Sequence, residues 1–172
     1  FRAPKGTITD DRRVRIRGCK SELIELIGSR GRLAATSFAQ QRLWLFDRLV
    51  PGKAIYNIPE AIRWHGPLDL HSLRHSFSTI IERHETLRTS FPDESGEPYQ
   101  LIAPQLTMPL QQENLPGVGD AQLRARLGQL AAAPFDLSQG PLWRAVLLRL
   151  ADGEHILLVV IHHIIADGAS MR

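Results

Sequence analysis

The sequence predicts an α/β (α+β) two-layer sandwich. Three observations carry that expectation. Stretches with helical apolar spacing alternate with short β-rich runs, hairpin signals recur, and 172 residues are enough to bury one core. Composition agrees: 43% hydrophobic and 23% charged residues is the ordinary balance of a soluble globular protein.

In chain order, residues 1–18 are rich in Arg, Thr and Asp without a sustained period and read as linker. Glu22–Ile27 has the pattern of one or two helical turns, ended by Gly28 and Gly31. Thr36 or Ser37 is a good N-cap for a helix over Phe38–Leu49, stopped by Pro51-Gly52. Ile55–His65 reads as a strand in which Pro59 demands an edge position or a bulge. After the Gly66-Pro67 turn, Asp69 caps a helix reaching about Leu87, with Leu70, Leu73, Phe77, Ile80, Ile81 and Leu87 as its buried stripe. Arg88–Phe91 and Tyr99–Ala103 flank a hairpin connection of turn residues, Pro92–Pro98. Met108–Glu113 is a weaker strand, and Leu123, Leu127 and Leu130 mark a helix from about Asp120 to Ala133. Trp143–Leu150, Asp152-Gly153 and His155–Ile161 form the clearest hairpin. Asp167 is placed to cap a further helix.

The formal charge of +3 is unevenly spread: residues 1–32 hold nine Lys/Arg against four Asp/Glu, and the remaining 140 hold twelve against fourteen. The high pI therefore belongs to the leader, and the near-neutral body argues against a nucleic-acid partner. Contact of the leader with RNA or lipid is the alternative to a solvated linker. The single Cys19 rules out an internal disulfide framework and fits a reducing cytoplasm. No apolar run reaches the eighteen or so residues of a membrane span. The start, Phe1-Arg2-Ala3-Pro4-Lys5, is no secretory signal and lacks an initiating Met, which suggests a piece of a longer chain.

The chemistry concentrates at the end, in His162-His163-Ile164-Ile165-Ala166-Asp167-Gly168. Side chains alternate along a strand, so one histidine enters a cleft and the other faces the scaffold. A core histidine is the alternative reading of His163. His71 and His75 stand four apart on one helix face, a workable zinc spacing. No third ligand is evident nearby, so no metal is expected.

Two further segments join the histidine pair: Ser37-Phe38-Ala39-Gln40-Gln41-Arg42-Leu43-Trp44 and Arg83-His84-Glu85-Thr86-Leu87-Arg88-Thr89-Ser90-Phe91. Together the three resemble, in order, the motifs of nonribosomal peptide synthetase condensation domains. Tyr56-Asn57-Ile58-Pro59 and Gly66-Pro67-Leu68-Asp69 are similar to the text between those motifs. The resemblance implies a chloramphenicol acetyltransferase-like fold of two lobes with the active site between them. This chain matches the N-terminal lobe, 36–172, preceded by a basic linker or docking segment, 1–35. The C-terminal lobe is absent, so the fragment alone is expected not to catalyse.

The resemblance implies amide-bond formation between an upstream carrier-bound aminoacyl or peptidyl thioester and a downstream carrier-bound amine, most like members joining an L-donor to an L-acceptor. Substrates would arrive on the phosphopantetheine of two peptidyl carrier proteins, beside an adenylation domain, so the domain binds no cofactor itself. His163 faces the tunnel in this reading, and its imidazole orients the amine or takes its proton. His162 hydrogen-bonds within the lobe. Asp167 is structural, ion-paired to an arginine of the missing lobe or, locally, to Arg88, which supports the site wall. Gly168 lets the backbone turn into the next helix. Epimerisation domains and coenzyme A-dependent acyltransferases share the histidine motif, but Met171 after Ser170 favours condensation. A non-catalytic lobe, with its leader as a docking element, is the competing reading.

Overall fold

A computed structural model describes residues 31–107 and 110–167. The expected turns at Glu22–Ile27 and the helix after Asp167 lie outside the described residues.

The larger sheet holds four strands in the order β2 (Asn57–His65), β8 (Glu154–His162), β7 (Trp143–Ala151), β6 (Leu110–Asn114). β2, β8 and β7 pair antiparallel, and β6 runs parallel to β7. That parallel pair needs a crossover, which the helix α3 (Asp120–Ala132) supplies as a βαβ unit. Alternate β7 residues enter different cores. Trp143, Ala145 and Leu147 pack with Trp44 of helix α1 (Phe38–Leu49) and Ile81 of helix α2 (Leu70–Arg83). Val146, Leu148 and Leu150 pack with Leu123 of α3. Burial on both faces explains why β7 reads as a nearly continuous apolar run. β2 forms the edge, exposed from position 59 onward. Pro59 therefore sits where a missing backbone donor costs least.

The smaller sheet pairs β5 (Glu97–Ile102) with β1 (Arg32–Ala35), β3 (Thr89–Ser90) and β4 (Asp93–Glu94). β1 corrects the expected extent of the linker, because Arg32–Ala35 pair along Ile102–Tyr99. Four residues are too few to display a strand period, and their partner lies far along the chain. The hairpin is also tighter than expected. Its loop is only Ser95-Gly96, with φ of 56° and 86°, the positive angles of a type I′ turn that matches strand twist.

Ser37 is the N-cap of α1, in a reciprocal capping box with Gln40. The second helix stops at Arg83 rather than near Leu87, and Glu85–Arg88 form a 3₁₀ turn. The break has a use: the Leu87 carbonyl accepts the Trp143 indole N–H at 3.0 Å, satisfying a buried polar group. Leu73, Phe77 and Ile81 face the core, whereas Leu70 and Ile80 are exposed. The buried stripe is narrower than the sequence implied. No helix among the described residues is long and apolar enough to cross a membrane.

Gly31 enters β1 at φ +83°, and a Cβ there would lie 2.5 Å from the Ile102 carbonyl oxygen. Gly31→Ala should destabilise the fold by about 1–3 kcal/mol. Gly52→Ala, at φ +72° in open space, should cost less because only backbone strain is added. Urea midpoints of the two variants check this, with a larger loss at Gly31 expected.

Candidate active site

The last residue of β8 and the first beyond it diverge as strand geometry requires. His162 is 3% exposed, and its Nδ1 accepts the Ile164 N–H at 3.1 Å. In the neutral ring the proton therefore sits on Nε2. The rings of Tyr56 and Phe135 stand edge-on to it, with centroids 6.3 and 6.2 Å away. Burial, and secondarily the neighbouring His163, push its pKa down to about 4. His162 is a neutral scaffold group at physiological pH.

His163 is exposed. Its Nδ1 lies 2.8 Å from the Ala166 carbonyl oxygen. A carbonyl only accepts, so Nδ1–H is the donor and Nε2 keeps its lone pair. The loop that presents the ring is anchored in three ways. The His163 backbone N–H donates to the Tyr56 carbonyl at 2.8 Å, and the His162 N–H to the Leu142 carbonyl at 2.9 Å. Ile164 and Ile165 are buried in the core, and the Gln40 amide of α1 donates to the Ile164 carbonyl at 3.4 Å.

A cleft of about 410 Å³ opens at this point. Ala39, Arg42, Leu43, Leu45, Phe46 and Leu49 of α1 line it together with Tyr56 and His163. Along the same helix Phe38, Leu45 and Leu49 are 87%, 54% and 70% exposed. The site is an apolar wall with one imidazole and one guanidinium. It is suited to holding an acyl or aminoacyl group against a proton acceptor.

The remaining site candidates fall elsewhere. Arg88 does not reach Asp167: its guanidinium donates to the carbonyls of Ile81, Glu82, Ala103 and Pro104. These bonds tie α2 to the loop after β5, where Arg88 lines a separate cleft with Arg74 and Thr107. Asp167 is exposed, and Gly168 lies outside the described residues. Trp44 is buried, while Arg42 lines the cleft beside His163. Among the described residues no three His, Cys, Asp or Glu side chains gather as a metal site.

A polar junction beneath His162 escaped sequence reasoning. Asn57 sits opposite His162 in the β2–β8 register and donates to the Ala131 and Ala133 carbonyls at 2.8 and 2.9 Å. Arg144 donates to the same Ala133 carbonyl and stacks 3.9 Å over the Phe135 ring. Burial lowers its pKa from the usual guanidinium value, and the ring face offsets part of that desolvation. Only the long-range register unites these residues, so no local spacing marks them.

The sequence profile of the condensation domain matches residues 32–172. This chain belongs to the condensation domain family. One of the linear gramicidin synthase proteins of Brevibacillus parabrevis is 48% identical over 140 residues, covering 79% of this chain and 2% of that protein. Phosphinothricin tripeptide synthetase PhsC of Streptomyces viridochromogenes is 42% identical over 139 residues, or 78% and 13% of the two chains. Among solved structures, a four-domain nonribosomal peptide synthetase bound to AMP and glycine aligns with TM-score 0.75 at 25% identity, covering 79% of this chain and 10% of that one. The X-domain from teicoplanin biosynthesis, in complex with OxyB, aligns with TM-score 0.74 at 31% identity over 83% and 30%. The condensation domain described here thus spans a small part of the relatives it matches.

The depressed pKa of His162 has a definite sign. The native state resists protonation that the unfolded chain accepts near 6.5, so its contribution is complete above that pH. It is lost as pH falls from 6.5 towards 4, by about 3 kcal/mol in total. Denaturation of the domain and of its His162→Gln variant between pH 7 and 4 should show a steeper fall in the wild type. Parallel pH dependences would contradict the neutral assignment.

Proposed function

We propose that this domain forms the amide bond of nonribosomal peptide synthesis. The donor is an aminoacyl or peptidyl thioester on an upstream carrier protein, and the acceptor is an aminoacyl amine on a downstream one. The observation that carries this reading is His163, whose Nδ1–H is fixed to Ala166 while Nε2 is left free beside an apolar cleft. The similarity to linear gramicidin synthase and phosphinothricin tripeptide synthetase supports the same chemistry.

In the reaction the amine nitrogen attacks the thioester carbonyl carbon, and the C=O electron pair moves to oxygen. The nitrogen becomes cationic and loses a proton to His163 Nε2, or, where the ring only aligns the amine, to the departing sulfur. Collapse of the tetrahedral species breaks the C–S bond and expels the phosphopantetheine thiolate, which takes up that proton to become the free thiol. An α-amine has a pKa near 8, so a useful fraction is already neutral and the imidazole need supply only part of the driving force. Two tethered arms add proximity, worth up to roughly 7–11 kcal/mol in well-oriented systems. The chain supplies one wall and the imidazole, and a second lobe closing over α1 and β2 supplies the other wall. The substrates are carried by partner proteins, so phosphopantetheine arrives with them, and the whole assembly works in the cytoplasm. An L-configured donor and an L-configured acceptor are the substrate pair the motif text favours.

A second reading is favoured by one observation: the teicoplanin X-domain, of the same fold, is seen in complex with OxyB. A lobe of this kind can serve as a surface for another protein instead of a catalyst.

His163→Ala in the intact synthetase separates the two. Amide formation between loaded carriers should fall by roughly 10²–10⁴, with an unchanged melting temperature because the ring is exposed. Product at the wild-type rate would instead support the binding role.

A further inference from the structure

Tyr56 converges on the histidine pair from three directions. Its carbonyl accepts the His163 N–H at 2.8 Å. Its ring stands edge-on to His163, with centroids 6.5 Å apart, and to His162 at 6.3 Å, both at 65°. Phe46 of α1 holds the Tyr56 ring in turn, edge-on at 5.2 Å and 83°. Tyr56 and Phe46 also line the cleft that His163 faces. The Tyr56 hydroxyl makes no hydrogen bond among the described residues, so ring and carbonyl carry these contacts.

We propose that Tyr56 is a positioning residue for His163, with Phe46 as its support; this rests on the amide-forming role assigned above. His163 is exposed, and an exposed imidazole exchanges rotamers freely unless something restricts it. The rotamer that bonds Nδ1–H to Ala166 selects the neutral tautomer whose lone pair is on Nε2, beside the cleft that His163 lines. The Tyr56 ring occupies space beside His163 that other rotamers would sweep, while its carbonyl fixes the backbone from which the ring projects. The stack runs from α1 through Phe46 and Tyr56 to the imidazole. It therefore sets the distance between the apolar wall and the proton acceptor.

The test measures kcat and KM for amide formation by the intact synthetase with loaded donor and acceptor carriers. Tyr56→Leu retains bulk but no aromatic edge; it should lower kcat by about 10²-fold, the usual cost of an ångström-scale misplacement, with KM unchanged. Tyr56→Phe keeps ring and carbonyl and should recover most of that loss. If Tyr56→Leu does not fold, Phe46→Leu removes only the supporting ring and should lower kcat in the same direction. Wild-type kcat in the foldable variant, beside an inactive His163→Ala, would overturn the positioning role and leave the amide-forming role intact. A wild-type rate in His163→Ala would overturn the amide-forming role itself. A loss confined to KM, or a Tyr56→Phe as impaired as Tyr56→Leu, would also overturn the proposal by assigning Tyr56 to substrate contact.

Discussion

Everything at the site depends on the way β8 ends. Its final residue is gripped by two neighbours, β2 through the Asn57–His162 register and the Leu142 carbonyl through a 2.9 Å hydrogen bond. The next residue is gripped by Tyr56. Beyond it the chain turns so sharply that the Ile165 N–H returns to the His162 carbonyl at 3.1 Å, and two isoleucines plunge into the core. A strand left to fray here would swap the two imidazoles between cleft and scaffold, since a one-residue slip reverses every side chain. The paired backbone prevents that exchange.

Two chemically identical side chains, adjacent in sequence, acquire opposite character from that constraint alone. His162 is surrounded by aromatic edges and accepts a backbone N–H, so burial keeps it uncharged. His163 has one nitrogen committed to a carbonyl and the other facing open space. The neutrality of the first benefits the second. A protonated ring at His162 would set a second charge beside His163 on the adjacent residue. The neutral scaffold histidine thus adds no cation beside His163, while Arg144, the permanent charge of the junction, donates to the Ala133 and Pro134 carbonyls and stacks on the Phe135 face.

The sequence disclosed much of this, and what it hid has a common cause. The β7–β8 hairpin, the three helices among the described residues and the capping residues Ser37 and Asp69 were legible because each depends on neighbours within a few positions. The alternation that separates His162 from His163 is equally local. The four-residue β1 and the Asn57–Arg144–Phe135 junction were not legible, because each exists only through partners far away in the chain. The early end of α2 belongs to the same group. Its apolar spacing continues to Leu87, but the indole of Trp143 claims the Leu87 carbonyl and draws the last turn into a 3₁₀ geometry. Motif order sets Arg88 at the site wall, and its bonds to four backbone carbonyls depend on how α2 and the loop after β5 come together, which no sequence pattern marks.

The edge position of β2 also bears on how the chain is made. Asn57 leaves the ribosome about 100 residues before His162, its register partner. At roughly 5–20 residues per second, that interval is on the order of 5–20 s. During it β2 has no sheet to join, and Ile62 and Trp64, which stay about half exposed even in the finished lobe, are available to any other strand. Pro59 and the charges of Glu60 and Arg63 break up this stretch, a common defence of unpaired edges. The site, where edge strand β2 meets β8, is therefore assembled only after β8 has been made. Its geometry is inherited from a segment that must stay unpaired until β8 emerges.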